Sequence, residues 1–464
     1  MMRTRAAEMT DAHTAAFQLP QEQERAQALA SQYRIVYGRA PRFVVRAPGR
    51  VNLLGEHTDY NGLPVLPMAI DRSIMIAVGA RADRTVQLSN TAPQFAPRSY
   101  ELSDTIPPYA EGDWGNYSKA AAQCLARHCG LEFLHGVDCL VDGNIPSGAG
   151  LSSSSALVVA SALALVAANE HTVPYETMAE LLPSAERYVG TLSGGMDQAV
   201  SLLAQTGHAL RVDFFPLRVR TVPLLSGYGI IVCHSLVRAE KSGAAKRGYN
   251  RRVIEGRLAC RVLERALGSS LPRPLRTLGD LAVLFPHRPL LDFLPYLEAH
   301  VPERPLALSG LAQIIGTSVE GLHASCDIQP NVGDHFTILR RVRHVLSEAE
   351  RVNRAEEALR AGNADRFGYL MDASHVSCRD DYEISCPELE ALIQAAKEAG
   401  AVGARLTGAG FGGCTVNLVP NDGVRAFLTR VDRYFYAPRL THSERVTDYR
   451  FCFRPEAGAG VMRL

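Results

Sequence analysis

The sequence predicts an α+β protein of two domains. Its 464 residues exceed what a single hydrophobic core ordinarily serves. Strand-like and helix-like patterns are mixed along the chain. A composition of 47% hydrophobic and 21% charged residues is that of a folded globular domain rather than a disordered chain or a coiled coil.

In chain order, a helix is expected over 21–37, before the β-rich run "RFVVRAPGRVNLLGEHTDYNG", which should give way to a polar loop at Pro48 and Gly49. Strands are expected over 73–78, 85–88 and 136–141, with a helix over 117–128 that stops at Gly130. The stretch "IPSGAGLSSSSALVVASALALVAANE", 145–170, joins a Gly/Ser run to an almost uninterrupted apolar segment, which reads as a loop placed directly on a buried helix. "PYETMAELLPSAERYVG" and "GMDQAVSLLA" each suggest one further helix, and "HALRVDF" and "YGIIVCHS" two strands. A helix over 244–267 opens the second half, so the domains are expected to be 1–215 and 216–464. The segment 268–334 is rich in Pro and Leu and too apolar for disorder, which suggests a helical insert. Helices over 336–362 and 387–400, the Gly-rich turn "TGAGFGGC", the strand "TVNLV" and a C-terminal turn at "EAGAGV" complete the reading.

Basic and acidic residues number 49 and 48, so no overall polycation exists to hold nucleic acid or an anionic membrane, and a small partner is expected. The densest basic stretch, Arg340, Arg341, Arg343, Arg351 and Arg354, is interleaved with Glu348, Glu350, Glu356 and Glu357 and reads as a solvated helix face. Ten cysteines include no CxxC pair, and Cys124 and Cys129 lack the second ligand pair of a zinc site. The opening "MMRTRAAEMTDAHTAAF" has no apolar core of a secretory signal. Apolar stretches such as 162–168 fall far short of the ~20 residues of a membrane span. A cytoplasmic chain is expected.

Three motifs carry chemistry. In the first, Gly148 and Gly150 let backbone amides point into one concavity, Ser152, Ser153, Ser154 and Ser155 offer hydroxyls, and the following helix brings its positive end. This is an anion site without the lysine of the common P-loop, although plain helix capping uses the same residue types. The second, "APGRVNLLGEHTDY", packs Arg50, Glu56, His57 and Asp59 into ten residues. Its carboxylates suit the hydroxyls of a polyol, whereas an apolar ligand would leave them unpaired; a surface turn with a capping Asp is the bland alternative. The third, "GGMDQAVSLLA", carries Asp197 and follows Glu186 in "SAERYVG"; alone, Asp197 reads as a helix-cap residue.

Together these motifs resemble the GHMP family of small-molecule kinases, and within it the galactokinase branch. "GRVNLLGEHTDYN" is similar to the branch's sugar signature, "PSGAGLSSSSA" to its phosphate loop, and "RLTGAGFGGCTV" to the third family motif. "SHVSCRDDYEISCPELEAL" is also similar to the branch, and the likeness runs from about residue 42 to 418. The resemblance implies a two-domain GHMP kinase fold with its active site in the cleft between the domains. It implies ATP and Mg²⁺ and transfer of a phosphoryl group to the anomeric hydroxyl of galactose; a monomer acting on small-molecule substrates, with neither nucleic acid nor membrane, is expected. Position by position, it gives Arg50 and Asp197 the central roles at the phosphoryl acceptor. Glu56, His57, Asp59, Gly195 and Tyr249 would contact the sugar. The phosphate loop would be Gly148, Ala149, Gly150, Leu151, Ser152, Ser153, Ser154 and Ser155, with Ser154 and Glu186 on the metal and Trp114 beside the adenine.

One departure bears on the substrate. "AERYVGTLSGGMDQ" is one residue shorter than the common bacterial and animal pattern and matches the fungal galactokinase and N-acetylgalactosamine kinase variety, as do "LVDGNIP" and the insert. Tyr249 leans towards galactose, because acetamido-sugar kinases carry Phe at that place, and Thr58 and Asn61 lean the same way. A non-catalytic sugar sensor of the fungal kind would have a shortened serine run, and here all four serines are present. Arg50 beside Asp197 should keep that carboxylate ionised while making it a weaker base, so Asp197 is expected to orient the hydroxyl and take its proton late.

Overall fold

The structure is a computed structural model describing residues 16–17, 19–239, 243–328, 332–441 and 443–464. The N-terminal stretch read above as lacking a leader's apolar segment lies, up to residue 15, outside the described residues. Helix α1 (Pro20–Tyr37) starts at a proline and ends at Gly38, which adopts a φ of 68° and closes the last turn through its N–H to Arg34 O. It lies against a sheet containing β1 (Phe43–Leu54), β2 (Leu66–Ala80), β3 (Thr85–Asn90), β4 (Arg98–Glu101) and β5 (Val137–Gly143). Strand β1 does not give way at Pro48, as the sequence suggested. It runs on to Leu54 because the pairing with β2 shifts register between Pro48 and Arg50, which absorbs the missing proline donor. Gly49 is required there: a Cβ would lie 2.7 Å from Leu151 O, where the serine-rich loop crosses the strand.

That loop feeds α3 (Ser153–Ala168), which follows α2 (Gly115–Cys129) in the chain. Helix α3 is apolar all round and buried on nearly every side, against α2, β1 and β2. The expected single helix after it is two, α4 (Tyr175–Leu181) and α5 (Pro183–Tyr188), because Pro183 has no N–H to continue a helix and starts a new one. Helix α6 (Met196–Leu203) and the hairpin of β6 (His208–Asp213) and β7 (Arg218–Pro223) complete this half.

Strand β8 (Tyr228–His234) and the long α7 (Gly243–Leu267) begin the second half. The insert contains α8 (Asp280–Leu284), α9 (Leu294–Glu298), α10 (Leu308–Ile315) and α11 (Val319–Cys326). A short pair of β9 (Leu306–Ala307) with β10 (His335–Phe336) closes it. The insert packs its leucines on α7 and α12 (Leu339–Arg360) around Phe293, Phe336 and Leu258. Helices α13 (Ala364–Asp380) and α14 (Pro387–Glu398), strands β11 (Gly403–Thr407) and β12 (Cys414–Pro420), α15 (Val424–Val431) and β13 (Arg450–Phe453) follow. The second sheet has the order β11–β12–β8–β13, antiparallel throughout.

The "EAGAGV" stretch is not merely a terminal turn. It leads into β14 (Gly460–Arg463), which pairs with β1 and gives the first sheet the order β14–β1–β2–β5–β3–β4. The largest apolar core runs from β1 and α3 through to α12, α13 and β12, so the two halves share an interior. The Arg/Glu-rich face of α12 is only partly solvated: Arg341, Glu348 and Glu356 are buried. Their charges are paired within the chain, Arg341 with Glu255, Glu348 with Arg351, and Glu356 with Arg211.

Candidate active site

A cavity of about 640 Å³ opens where the serine-rich loop, the "GEHTDY" turn and the start of α6 meet. At its centre, Arg50 Nε donates to Asp197 Oδ1 at 2.6 Å, and Arg50 Nη1 to Gly150 O at 2.7 Å. The second oxygen of Asp197 accepts from Ser152 and, at 3.2 Å, from Ser155. Ser155 also donates to Glu186 Oε1 at 2.6 Å. One strand, one loop and one helix therefore send donors to a single carboxylate on α6.

Gly148, Gly150 and Ser152 all have φ between 60° and 75°. The N-cap residue Ser152 makes no side-chain cap, because its hydroxyl is directed at Asp197 instead. The first bond of α3 runs from Ala156 N–H to Ser152 O, so the amides of Ser153, Ser154 and Ser155 precede the helical ladder at its positive end. Ser153 and Ser154 line the cavity with Gly148, Gly150, Leu151 and Ser152. Ala149 sits beneath in the core, and Ser155 and Glu186 are buried behind the loop.

On the facing wall, His57 has a φ of 61° and its Nε2 lies 3.1 Å from Ala409 O. A carbonyl can only accept, so Nε2 carries the proton and Nδ1 accepts from Tyr60 OH at 2.8 Å. Tyr60 in turn accepts from Tyr382 OH at 2.8 Å. Burial pushes His57 down to about 3, so the ring is neutral. Burial, reinforced by the nearby Asp197 charge, pushes Asp59 up to about 6. Tyr249 packs 5.1 Å from His57, ring centre to ring centre, and lines the cavity beside Gly195.

The turn is held by residues that the sequence did not single out. Arg405, fully buried on β11, donates to Glu56 Oε2 at 2.8 Å and to Leu53 O at 3.1 Å. Glu348 on α12 accepts from the backbone N–H groups of Gly55 and Glu56, at 2.9 and 3.2 Å. His344 Nε2 donates to Glu56 O at 3.0 Å. Glu56 therefore reaches the cavity with one carboxylate oxygen already engaged. No local pattern flags these partners, since they lie almost 300 or more residues away in the chain.

Arg238 and Lys246 also line the cavity and escaped the sequence reading, because single cations in a polar stretch carry no spacing signal. Lys246 donates to Glu111 and to Val189 O, each at 3.0 Å. Trp114 stands apart: its indole is buried, donates to Ala96 O at 2.9 Å and packs 5.9 Å from Phe95, outside the cavity lining. Tyr109 and Tyr117 are the rings on that wall. Their neighbour Trp114 occupies the N-cap position of α2, without a side-chain cap bond.

Gly194 fixes the close approach of the α6 loop to this turn, since a Cβ there would fall 2.2 Å from Tyr60 N. Gly194→Ala is expected to lose sugar binding and to lower Tm by several degrees, since rigid backbone on both sides leaves overpacking no relief. A sugar-binding titration with a thermal melt checks it.

The galactokinase galactose-binding signature matches residues 31–80, the GHMP kinases N terminal domain residues 116–205, and the GHMP kinases C terminal residues 355–437. A galactokinase of Dictyostelium discoideum is 34% identical over 468 residues, covering 92% of each chain. The chain belongs to the galactokinase family. It is a sugar kinase of the GHMP fold. The galactokinase of Saccharomyces cerevisiae is 31% identical over 91% of this chain and 92% of its own. Among solved structures, Lactococcus lactis galactokinase complexed with galactose superposes with a TM-score of 0.74 at 28% identity, over 94% of this chain and 99% of that one. Methanococcus jannaschii mevalonate kinase, at TM-score 0.56 and 16% identity over 90% of this chain and 99% of that one, shares the fold.

Proposed function

We propose that this galactokinase-family chain transfers the γ-phosphoryl group of ATP to the anomeric hydroxyl of α-D-galactose, giving galactose 1-phosphate and ADP. The observation that carries the proposal is the Arg50–Asp197 pair, which lies between an amide- and serine-lined loop and a polyol-suited turn in one cavity. Asp197 orients the anomeric hydroxyl and receives its proton late, because a loose transition state asks little early deprotonation. Arg50 neutralises charge on the transferring group. The amides at the start of α3 and the guanidinium of Arg238 face the ATP phosphates. His57, Asp59 and Tyr249 take the sugar, with Glu56 through its remaining oxygen and Gly195 through its backbone.

Magnesium fits the donor chemistry of this site: Glu186 and the serine hydroxyls, Ser154 among them, are hard oxygens. Among the described residues no group of three or more His, Cys, Asp or Glu side chains could hold an ion unaided. When bound, it would neutralise phosphate charge, held by Ser154 and Glu186. The protein is proposed to act in the cytoplasm as a monomer on two small molecules, without nucleic acid. No helix among the described residues is long and apolar enough to cross a membrane.

Galactose and N-acetylgalactosamine, each tested with ATP, separate the two sugar readings. Tyr249 supports galactose, and the short segment before Asp197 is what keeps the acetamido sugar in the comparison. A higher kcat/KM for galactose is expected, and a preference for N-acetylgalactosamine would reject the assignment. For kcat/KM with galactose, a break near pH 6 is expected, with activity falling on the acid side as Asp59 gains its proton. Asp59→Asn should lose the break. The same residue is harder to ionise folded than unfolded, so it weakens the fold as pH rises from about 4 through 6. Asp59→Asn should consequently melt higher than the parent above that window and no higher below it.

A further inference from the structure

Behind the sugar-side wall lies a second cavity, of about 490 Å³. Ser193 lines both cavities, and Tyr60 and Gly194 line the second beside it. Three arginines line the second cavity: Arg187 on α5, Arg257 on α7 and Arg276 at the start of the insert. Among the described residues Glu180 is the single carboxylate on its lining. Arg257 is tied to Cys326 O at 2.9 Å and to Asp327 at 3.4 Å. The side chains of Arg187 and Arg276 have no hydrogen-bond or salt-bridge partner among the described residues.

Phe214 and Phe215 also line this cavity, with ring centres 6.3 Å apart. Phe215 is 65% exposed and has a φ of 57°, a conformation that a bulky side chain rarely adopts. Arg187 and Arg276 are both exposed, at the mouth of the cavity, where cations of one sign grouped over a cleft with apolar walls concentrate anions. The planar fork of arginine matches a phosphate with two parallel bonds. The volume falls within the range of roughly 300–1,000 Å³ typical of small-molecule sites.

We propose that this cavity binds a small phosphoester, its phosphate between Arg187 and Arg276 and its organic half against Phe214 and Phe215. The site adjoins the active cavity and is wired to it. Tyr60, on the lining of the second cavity, holds His57 of the first by the bond to Nδ1. Gly279 N–H, three residues beyond Arg276, donates to Asn61 O at 2.7 Å and braces the same turn. Arg187 directly follows Glu186, which is bonded to Ser155. A ligand that draws Arg187 and Arg276 together therefore acts on sugar affinity, and the insert is the element that carries the effect.

Calorimetric titration of the full chain tests this with inorganic phosphate, galactose 1-phosphate and AMP as separate probes. Each is repeated on Arg187→Ser/Arg276→Ser and on Arg276→Ser alone, the second serving if the double variant does not fold. Both positions lie outside the active cavity, so any binding there is common to all three proteins. The expected result is an additional binding event for galactose 1-phosphate or AMP, weakened about tenfold or more in the variants. The same ligand should shift the sugar KM of the parent and leave that of the variants unmoved. Equal affinities in parent and variants, or no additional event with any probe, would overturn the site. Inorganic phosphate binding as tightly as both organic probes would overturn the role given to the phenylalanines. The binding arms stand apart from turnover, so a chain without kinase activity would contradict the proposed function and leave this test intact.

Discussion

Asp197→Asn is expected to lower sugar-dependent ATP turnover by about three orders of magnitude, within the ~10²–10⁴-fold range of a positioned proton acceptor. Sugar affinity should change little, because the turn that grips the sugar is held by Arg405, Glu348 and His344, none of which touches Asp197. Asparagine is the informative choice. Alanine would strand Arg50, whose side chain is 6% exposed, and take the acceptor from the Ser152 hydroxyl. Steady-state kinetics with an independent sugar titration separates the two effects. Near-normal phosphorylation by the asparagine variant would remove Asp197 from its role.

Arg405→Leu should be the most damaging change away from the chemistry. Arg405 is 0% exposed and pairs with Glu56, which is 2% exposed. Removing the arginine leaves a buried carboxylate without its counter-charge, an effect of about 3–5 kcal/mol. It also frees Leu53 O and loosens the side chain that presents the remaining Glu56 oxygen to the cavity. Urea denaturation should show the stability loss, and sugar KM should rise while the ATP KM stays close to the parent's. A variant with unchanged stability and sugar KM would show that Glu348 and His344 hold the turn unaided.

Short-range chemistry made much of this molecule readable. The Gly/Ser run before an apolar helix, the clustered Arg50, Glu56, His57 and Asp59, and Asp197 after two glycines lie in stretches short enough for spacing to speak, and those groups share one cavity. Trp114 lies outside the cavity lining, a placement hidden from the sequence because a lone tryptophan says nothing of which side of the helix start its indole takes. The strand through Pro48 stayed hidden because a register shift, invisible in sequence, compensates the proline. So did β14, whose partner β1 is over 400 residues earlier. The Arg/Glu pattern on α12 read as solvated because periodicity records amphipathicity and not ion pairing: Glu348 is buried there to hold the backbone at Gly55 and Glu56. The insert's contact with Asn61 through Gly279 is likewise a product of tertiary packing alone.

Phosphorus NMR of a reaction containing the protein, ATP, magnesium and α-D-galactose tests the central claim most directly. The expected spectrum gains ADP and a sugar 1-phosphate in equal amounts, and neither forms when galactose is left out. Galactose binding without any ADP or phosphomonoester would contradict the kinase assignment and point to a sugar sensor.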